Sequence, residues 1–208
     1  MSVREAKKLL REEIWARLEA TGVARFPLPC FGHVPNFEGS EKAARNVRLL
    51  EEWKEAKVVF VNPDFAQQKV RENALLDGKL LVMASPKLKH GYIVVDPAEV
   101  RGSESRASTI RGAFSHGKVV SLEEMPRPDL IVEGSVAVDL KGNRLGKGGG
   151  YGDVEIRTLK KRFGSVPVLS AVHEMQVVPN VPSEEKDEIV SIIVTAHRVI
   201  RVSSSEVA

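Results

Sequence analysis

The stretch DLIVEGSVAVDLKGNRLGKGGGYGDVEIRTLKKRF, residues 129–163, decides the fold of this chain. Residues 129–138 contain two groups of apolar side chains, 130–132 and 136–138, which predicts a buried strand. Residues 142–152 are rich in glycine and basic side chains, and apolar residues recur at helical spacing over 153–163. A strand, a basic glycine loop and a helix in this order are typical of an α/β sheet that binds an anion where a strand ends.

The glycines of this loop allow the backbone to approach an anion closely, with its N–H groups pointing inward. They are Gly146, Gly148, Gly149 and Gly150. The helix after the loop adds the positive end of its dipole. Arg144 and Lys147 contribute positive charge, and an arginine holds phosphate oxygens with two parallel hydrogen bonds. The loop therefore predicts phosphate binding, most simply the binding of ATP.

The loop does not match two common nucleotide motifs. It contains no Gly-Lys-Ser/Thr of a Walker A loop, and the third glycine of G-x-G-x-x-G, counted from Gly146, falls on Tyr151. One alternative is a flexible connection in which Asp153 only caps the following helix. The other is that Asp153 holds Mg²⁺ next to a bound phosphate.

Apolar strands and amphipathic segments alternate over the rest of the chain. Strands are predicted at 56–61, 79–84, 93–95, 166–172, 189–195 and 199–202, and helices at 3–21, 40–53 and 65–77. Continuous apolar strands between helices indicate a mostly parallel sheet covered on both faces. We expect one α/β domain over residues 1–208, with a mobile surface segment or lid at 101–118 and a frayed tail at 203–208.

Composition limits the function classes. The chain has 208 residues, a formal net charge of +3 and one cysteine, Cys30, so an internal disulfide is excluded. This mild positive charge suits anionic metabolites but is too weak to indicate nucleic acid by itself. No apolar run is long enough for a membrane span, and no secretory leader is visible. We therefore expect a cytoplasmic protein without a membrane partner.

The glycine loop resembles the signature of a known enzyme family. Gly142-Asn143-Arg144-Leu145-Gly146-x-Gly148-x-Gly150-Tyr151-x-Asp153 is similar to the motif of 5-formyltetrahydrofolate cyclo-ligase, also called methenyltetrahydrofolate synthetase. Lys7 and Arg11 match the family's N-terminal Lys-x-x-x-Arg, and Gln176, Asp187 and Thr195 resemble its C-terminal pattern. The phrases RFPLPC, VNPDFAQQKVR and HEMQVV are more similar to a divergent branch, the methenyltetrahydrofolate synthetase domain-containing proteins, than to the enzyme proper.

The resemblance implies a fold and a reaction. The fold is a three-layer α/β/α Rossmann-like domain of the NagB-RpiA-CoA transferase type. The reaction uses ATP and Mg²⁺: the formyl oxygen of 5-formyltetrahydrofolate is phosphorylated, N10 closes the ring and phosphate leaves, giving 5,10-methenyltetrahydrofolate and ADP. Phosphorylation makes the formyl oxygen a good leaving group, and the protein supplies positioning and charge neutralisation.

The resemblance also implies roles for individual residues. ATP binding is expected of Lys7, Arg11, Arg144, Gly146, Lys147, Gly148, Gly149, Gly150 and Tyr151. Arg144 and Lys147 are the expected catalytic residues. Asp64 and Tyr151 are expected to bind the folate-type substrate, and Asp153 and Asp187 to hold Mg²⁺. A solvated face is the alternative for Lys7, Arg11 and Asp187, and a helix cap is the alternative for Asp64.

Three departures from the family lie on the substrate side. Gly152 stands where the family commonly has a tyrosine, Asp64 stands where it has a glutamate, and Gly134-Ser135 replaces a Pro-Gly turn. The ATP side is largely intact, so nucleotide binding is predicted more strongly than folate turnover. The alternative function is a non-catalytic nucleotide- or RNA-binding module derived from the enzyme.

Overall fold

The computed structural model of the chain describes residues 1–202, apart from the side chain of Lys87. The tail expected to fray at 203–208 lies outside the described residues. The helices are α1 Val3–Ala20, α2 Ser40–Val47, α3 Glu51–Glu55, α4 Gln68–Leu76, α5 Glu104–Ala107, α6 Ile110–His116 and α7 Tyr151–Phe163. Within residues 1–202, no helix has both the length and the apolar character that a membrane span requires.

The strands form one large sheet and two small hairpin sheets. They are β1 Ala24–Arg25, β2 Asn36–Phe37, β3 Val58–Val61, β4 Leu80–Ala84, β5 Tyr92–Val95, β6 Lys118–Val120, β7 Leu130–Val132, β8 Ala137–Val138, β9 Arg144–Leu145, β10 Val168–Ala171, β11 Ile192–Val194 and β12 Val199–Arg201. The eight-stranded sheet has the order β12-β11-β10-β7-β3-β4-β5-β6. Its centre, from β11 to β4, is parallel, and the strands added at its edges are antiparallel. The mostly parallel sheet is therefore confirmed.

Helices cover both faces of this sheet. Because side chains alternate along a strand, Val59 and Val61 of β3 join the core that contains Val70 of α4, whereas Phe60 joins the core that contains Ile156 of α7. A third core lies between α1 and the small β8-β9 sheet. The three-layer α/β/α architecture that the resemblance implied is confirmed.

The single strand predicted over 129–138 is wrong. Residues 130–132 form β7 of the large sheet, whereas 137–138 form β8, which pairs with β9 in a separate hairpin. The chain leaves the large sheet at Glu133, whose side chain accepts a hydrogen bond from Asn62 instead of packing among apolar residues. A charged residue within an apolar run thus ends the strand.

Other element boundaries also differ from the predictions. The helix predicted over 40–53 is divided into α2 and α3 at Leu50, whose backbone is extended and which packs into the core together with Trp53. The helix predicted over 65–77 begins with a 3-10 turn, Phe65–Gln67, before α4.

The Gly/Ser-rich segment 101–118, expected to be a mobile surface segment or lid, folds into α5, α6 and the first residue of β6. Ala107 and Ala113 are buried in the same core as α4. The Thr109 side chain caps α6 by accepting a hydrogen bond from the Gly112 amide. The sequence pattern did not indicate these helices, because their buried residues are only alanine and glycine, Ala107, Gly112 and Ala113.

Candidate functional site

A cleft of about 570 Å³ lies at the carboxyl edge of the parallel strands. Asn62, Ser85 and Glu133 directly follow β3, β4 and β7, and all three line the cleft. Ligands of open α/β sheets bind at this edge, because the loops there converge while the sheet stays rigid. The sequence prediction that the site lies at the carboxyl ends of the strands therefore matches the position of the cleft.

The glycine loop forms one wall of the cleft and leads directly into α7. Gly148 and Gly150 have φ values of +113° and +70°, which side-chain-bearing residues rarely adopt. Gly150 is also the N-cap residue of α7, so the positive end of the helix dipole meets the loop at this point. The ring of Tyr151 lies against Gly149. The loop thus has the backbone conformation and the helix terminus of an anion site.

Two cations from α1 extend this wall. The Nε atom of Arg11 donates a 2.7 Å hydrogen bond to the Gly146 carbonyl, which fixes the guanidinium beside the loop. The Lys7 ammonium contacts Asp187 at 2.5 Å and Glu184 at 3.1 Å. Although burial disfavours the charged form, these two carboxylates raise the pKa of Lys7. Lys7 therefore remains a cation at neutral pH.

A chain of polar contacts connects the glycine loop to the opposite wall. Lys147 forms a 2.8 Å ion pair with Asp64, and the other Asp64 oxygen accepts a 2.8 Å hydrogen bond from Asn62. The same Asn62 amide donates to Glu133 Oε1 at 2.9 Å. Asp64 occupies the N-cap position of the 3-10 turn Phe65–Gln67, as the capping alternative predicted, but its side chain makes no capping hydrogen bond. Asp64 joins the two walls instead.

Arg144 is the most buried cation of the cleft, with 4% of its surface exposed. Its guanidinium makes only long contacts, 3.4 Å to the Gly134 carbonyl and 3.7 Å to Asp153, and its Nε atom has no partner within residues 1–202. A buried guanidinium with spare donors suits an anionic ligand that enters the cleft.

Asp153 lies in the first turn of α7 but does not cap it, because the N-cap residue is Gly150, so the capping alternative is wrong for Asp153. Its Oδ1 atom accepts a 3.1 Å hydrogen bond from the Glu188 amide. Asp187 also lines the cleft and uses Oδ2 for Lys7 and for the Glu184 amide. Within residues 1–202, no three His, Cys, Asp or Glu side chains are grouped closely enough to hold a metal by themselves. Two carboxylates fit Mg²⁺ only in the usual arrangement in which phosphate oxygens and water complete the shell.

The structure brings all of the predicted site residues together. The cleft is lined by Lys7, Arg11, Asp64, Arg144, Gly146, Lys147, Gly148, Gly149, Gly150, Tyr151, Asp153 and Asp187. The solvated-face alternative for Lys7, Arg11 and Asp187 is wrong, because each is held in this wall by a specific contact. Their individual roles stay predictions.

Sequence reasoning missed two buried acids of the cleft, Glu133 and Glu155. They are 4% and 6% exposed. Burial, only partly offset by Arg144 and Asn62, raises the pKa of Glu133 to about 7. Burial and the charges of Glu133 and Asp64 raise the pKa of Glu155 well above its ordinary value. Both had a signal in the sequence: Glu133 interrupts an apolar run, and Glu155 lies four residues before Leu159 on the apolar face of α7.

The position of Gly152 explains one departure from the family. A Cβ atom at this position would collide with Arg144 Nη2 and lie 2.6 Å from Glu133 Oε1. The space beside residue 152 is therefore flanked by a buried guanidinium and a buried carboxyl group. The wall at this point is ionic rather than aromatic.

The raised pKa of Glu133 predicts a pH-dependent stability. Because the folded-state pKa of about 7 exceeds the ordinary value of 4.5, the folded state binds the proton more tightly, and the free energy of unfolding should fall as pH rises through this window. Glu133→Gln should remove this loss, so the variant should gain stability relative to wild type between pH 5 and pH 8. Urea denaturation at pH 5 and pH 8 measures the free energy of unfolding of both proteins. The control is Glu41→Gln, which replaces an exposed glutamate. A stability difference that does not change with pH would contradict the prediction.

Comparisons with known proteins agree with this geometry. The model of the 5-formyltetrahydrofolate cyclo-ligase family matches residues 3–196. The methenyltetrahydrofolate synthase domain-containing protein of Bos taurus is 36% identical in an alignment 204 residues long that covers 94% of this chain and 53% of the relative. The corresponding Homo sapiens protein is 35% identical, with the same coverage. The chain thus spans about half the length of the curated relatives it matches, and its similarity to the divergent branch is confirmed.

A solved structure supports the fold. The 5,10-methenyltetrahydrofolate synthetase of Aquifex aeolicus aligns with a TM-score of 0.61 and 23% identity, over 97% of this chain and 95% of that one. At this identity the likeness establishes the fold alone. The match to the family model over nearly the whole chain establishes more: this chain belongs to the 5-formyltetrahydrofolate cyclo-ligase family, a family of ligases.

Proposed function

We propose that this chain is a cytoplasmic enzyme that converts 5-formyltetrahydrofolate, or a related N-formyl compound, into 5,10-methenyltetrahydrofolate with ATP and Mg²⁺. One observation carries the proposal. A single cleft is lined by the glycine loop, by the cations Lys7, Arg11, Arg144 and Lys147, and by the acids Asp64 and Glu133. Such a cleft has room for a polyphosphate next to a second, hydrogen-bonding substrate.

The chemistry places few demands on the protein. The formyl oxygen attacks the γ-phosphorus of ATP and ADP leaves; N10 then attacks the formyl carbon, the C–O bond breaks, phosphate leaves and N10 loses its proton. No step needs a protein nucleophile. The loop amides, Arg11, Arg144 and Lys147 neutralise the charge that builds up on the transferred phosphoryl group, and Lys7 neutralises the outer phosphates.

Asp153 and Asp187 are the residues that would hold Mg²⁺. The hydrogen bonds from the Glu188 and Glu184 amides use one oxygen of each carboxylate, Oδ1 of Asp153 and Oδ2 of Asp187. The bound ion would neutralise phosphate charge. Lys7, Arg11 and Arg144 surround the same region, so the protein side chains contribute charge there in addition to the ion.

The expected result of the functional test is methenyl product that forms only when ATP, Mg²⁺ and 5-formyltetrahydrofolate are all present. The product absorbs at a longer wavelength than the substrate, so absorbance follows it directly. Lys8→Ala, which removes an exposed cation on α1, is the control and should leave turnover unchanged. Absence of product from folded protein that binds ATP would exclude 5-formyltetrahydrofolate as the substrate.

Two observations favour a second candidate, a non-catalytic nucleotide-binding module. The space beside Gly152 is flanked by Arg144 and Glu133, and Asp64 is occupied by Lys147. Calorimetric titration distinguishes the two functions: ATP binding without folate binding favours the module, whereas folate binding that strengthens with ATP favours the enzyme. An RNA ligand is disfavoured, because a net charge of +3 predicts weak, salt-sensitive affinity.

A further inference from the structure

The cleft wall contains two buried polar atoms without partners. Within residues 1–202, the buried side-chain atoms that make no hydrogen bond are Gln67 Oε1, Glu133 Oε2 and Arg144 Nε. A buried polar group without a hydrogen-bond partner destabilises the fold, and more so when it is charged. Proteins retain such groups mainly where a ligand or a reaction uses them. The unpartnered Nε atom of Arg144 is explained by its proposed role in phosphate binding. The proposed reaction, as described above, assigns no role to the unpartnered Oε2 atom of Glu133.

Glu133 lies beside Arg144 in the cleft. A Cβ atom at residue 152 would collide with Arg144 Nη2 and lie 2.6 Å from Glu133 Oε1, so both side chains pack against Gly152. Residue 152 belongs to the first turn of α7, directly after the glycine loop. Glu133 and Arg144 both line the cleft, so a ligand that contacts the guanidinium of Arg144 lies close to the carboxyl group of Glu133.

The chemistry of the proposed reaction selects one substrate group for this carboxyl group. The formyl oxygen must face the phosphate, and the nearest hydrogen-bond donor to the formyl carbon is N10–H. That proton must leave N10 as the ring closes. Asn62 fixes Oε1 of Glu133 with a 2.9 Å hydrogen bond, so Oε2 is the oxygen left to receive a new donor.

We propose that Glu133 is a catalytic residue whose carboxylate accepts a hydrogen bond from N10–H, directs the N10 lone pair at the formyl carbon and takes the N10 proton. The C–N bond forms as the C–O bond to phosphate breaks, the phosphate carries away the electron pair, and the proton moves from N10 to Glu133 Oε2. This inference rests on the proposed function for the identity of the substrate. A carboxyl group with a pKa of about 7 is suited to take up and release this proton at neutral pH.

The role of Glu133 is tested by two separate measurements, ligand affinity and turnover. With ADP present, wild type should bind 5-formyltetrahydrofolate on the order of tenfold more tightly than its N10-methyl analogue, which lacks the donor. Glu133→Ala removes the acceptor and leaves room for the methyl group, so it should bind both ligands equally. Glu133→Gln keeps the shape and should lower kcat by at least about tenfold, with little change in KM. ATP affinity should be unchanged in both variants.

Glu155→Gln is the matched control, because Glu155 is equally buried and lines the same cleft. It should preserve the preference for the N10–H ligand. If wild type turns over substrate but Glu133→Ala keeps the preference, the role of Glu133 is overturned and the proposed function stands. If the preference depends on Glu133 but wild type shows no turnover, the binding role stands and the enzymatic function is overturned. If wild type binds neither ligand, both are overturned.

Discussion

Arg71→Met should destabilise the fold by roughly 3 kcal/mol or more, because three backbone carbonyls would lose a charged donor together. The Arg71 side chain is 1% exposed. It donates to the Asn62, Asp64 and Ser108 carbonyls at 2.6, 2.9 and 2.7 Å. Burial lowers the pKa of Arg71 to about 10, so the guanidinium is still charged at neutral pH. Methionine fills much of the same volume but offers no donor.

The same substitution should weaken substrate binding as well as stability. The turn at residues 62–64 carries Asn62 and Asp64 into the cleft, and Arg71 is the residue that ties this turn to the 101–118 segment through Ser108. Urea denaturation measures the free energy of unfolding, and Lys69→Met on the same helix is the control, with an expected change within about 0.5 kcal/mol. Equal stability losses in the two variants would show that Arg71 has no special structural role.

The glycine loop was predictable because its chemistry depends on local backbone freedom. Gly148 and Gly150 adopt the positive φ values that their residue type suggested, and α7 begins directly after them. The carboxyl edge of the sheet was predictable for a similar reason: parallel strands end on the same side, so residues after β3, β4 and β7 must converge. Local conformation and topology were enough to locate the cleft.

The pairings inside the cleft were not predictable, because they join residues that are far apart in sequence. Lys147 and Asp64 are separated by 83 positions, and Lys7 and Asp187 by 180. The charge and spacing of these residues indicate that each is either solvent-exposed or part of a functional site. They do not identify the residue with which each one forms an ion pair. Asp64 occupies an N-cap position and Asp153 lies in the first turn of α7, yet neither side chain makes a capping hydrogen bond, because distant partners compete for these side chains.

Glu133 is a cleft residue that the pattern of a buried strand did not reveal. The run LIVEGSVAV is typical of one buried strand, and the glutamate is its single charged residue. In the structure this glutamate ends β7, redirects the chain into the β8-β9 hairpin and places a buried acid next to Gly152. A charged residue inside an apolar run is therefore a stronger indication of a functional site than the run is of a continuous strand. Burying a charge has a large free-energy cost, and strongly perturbed buried acids are concentrated at functional sites.

Arg144→Ala should weaken ATP binding by about 1–3 kcal/mol, which is the size of a lost charge-assisted contact. The guanidinium is buried at the start of α7, and its present contacts of 3.4 and 3.7 Å leave most of its donor capacity for a phosphate. Arg144→Lys keeps the charge but not the planar pair of donors, so it should recover only part of the affinity. Calorimetric titration with ATP measures the affinity of wild type, Arg144→Ala and Arg144→Lys.

Arg157→Ala is the matched control for this loop. Arg157 also lines the cleft, but it is half exposed and paired with Glu188, so its removal should change ATP affinity little. If Arg144→Ala leaves ATP binding intact and weakens folate binding instead, Arg144 belongs with Glu133 to the substrate side, and the phosphate would be held by the loop amides with Arg11 and Lys7. If neither ligand is affected, the glycine loop is not the phosphate site. Only a selective loss of ATP affinity agrees with the guanidinium facing the transferred phosphoryl group.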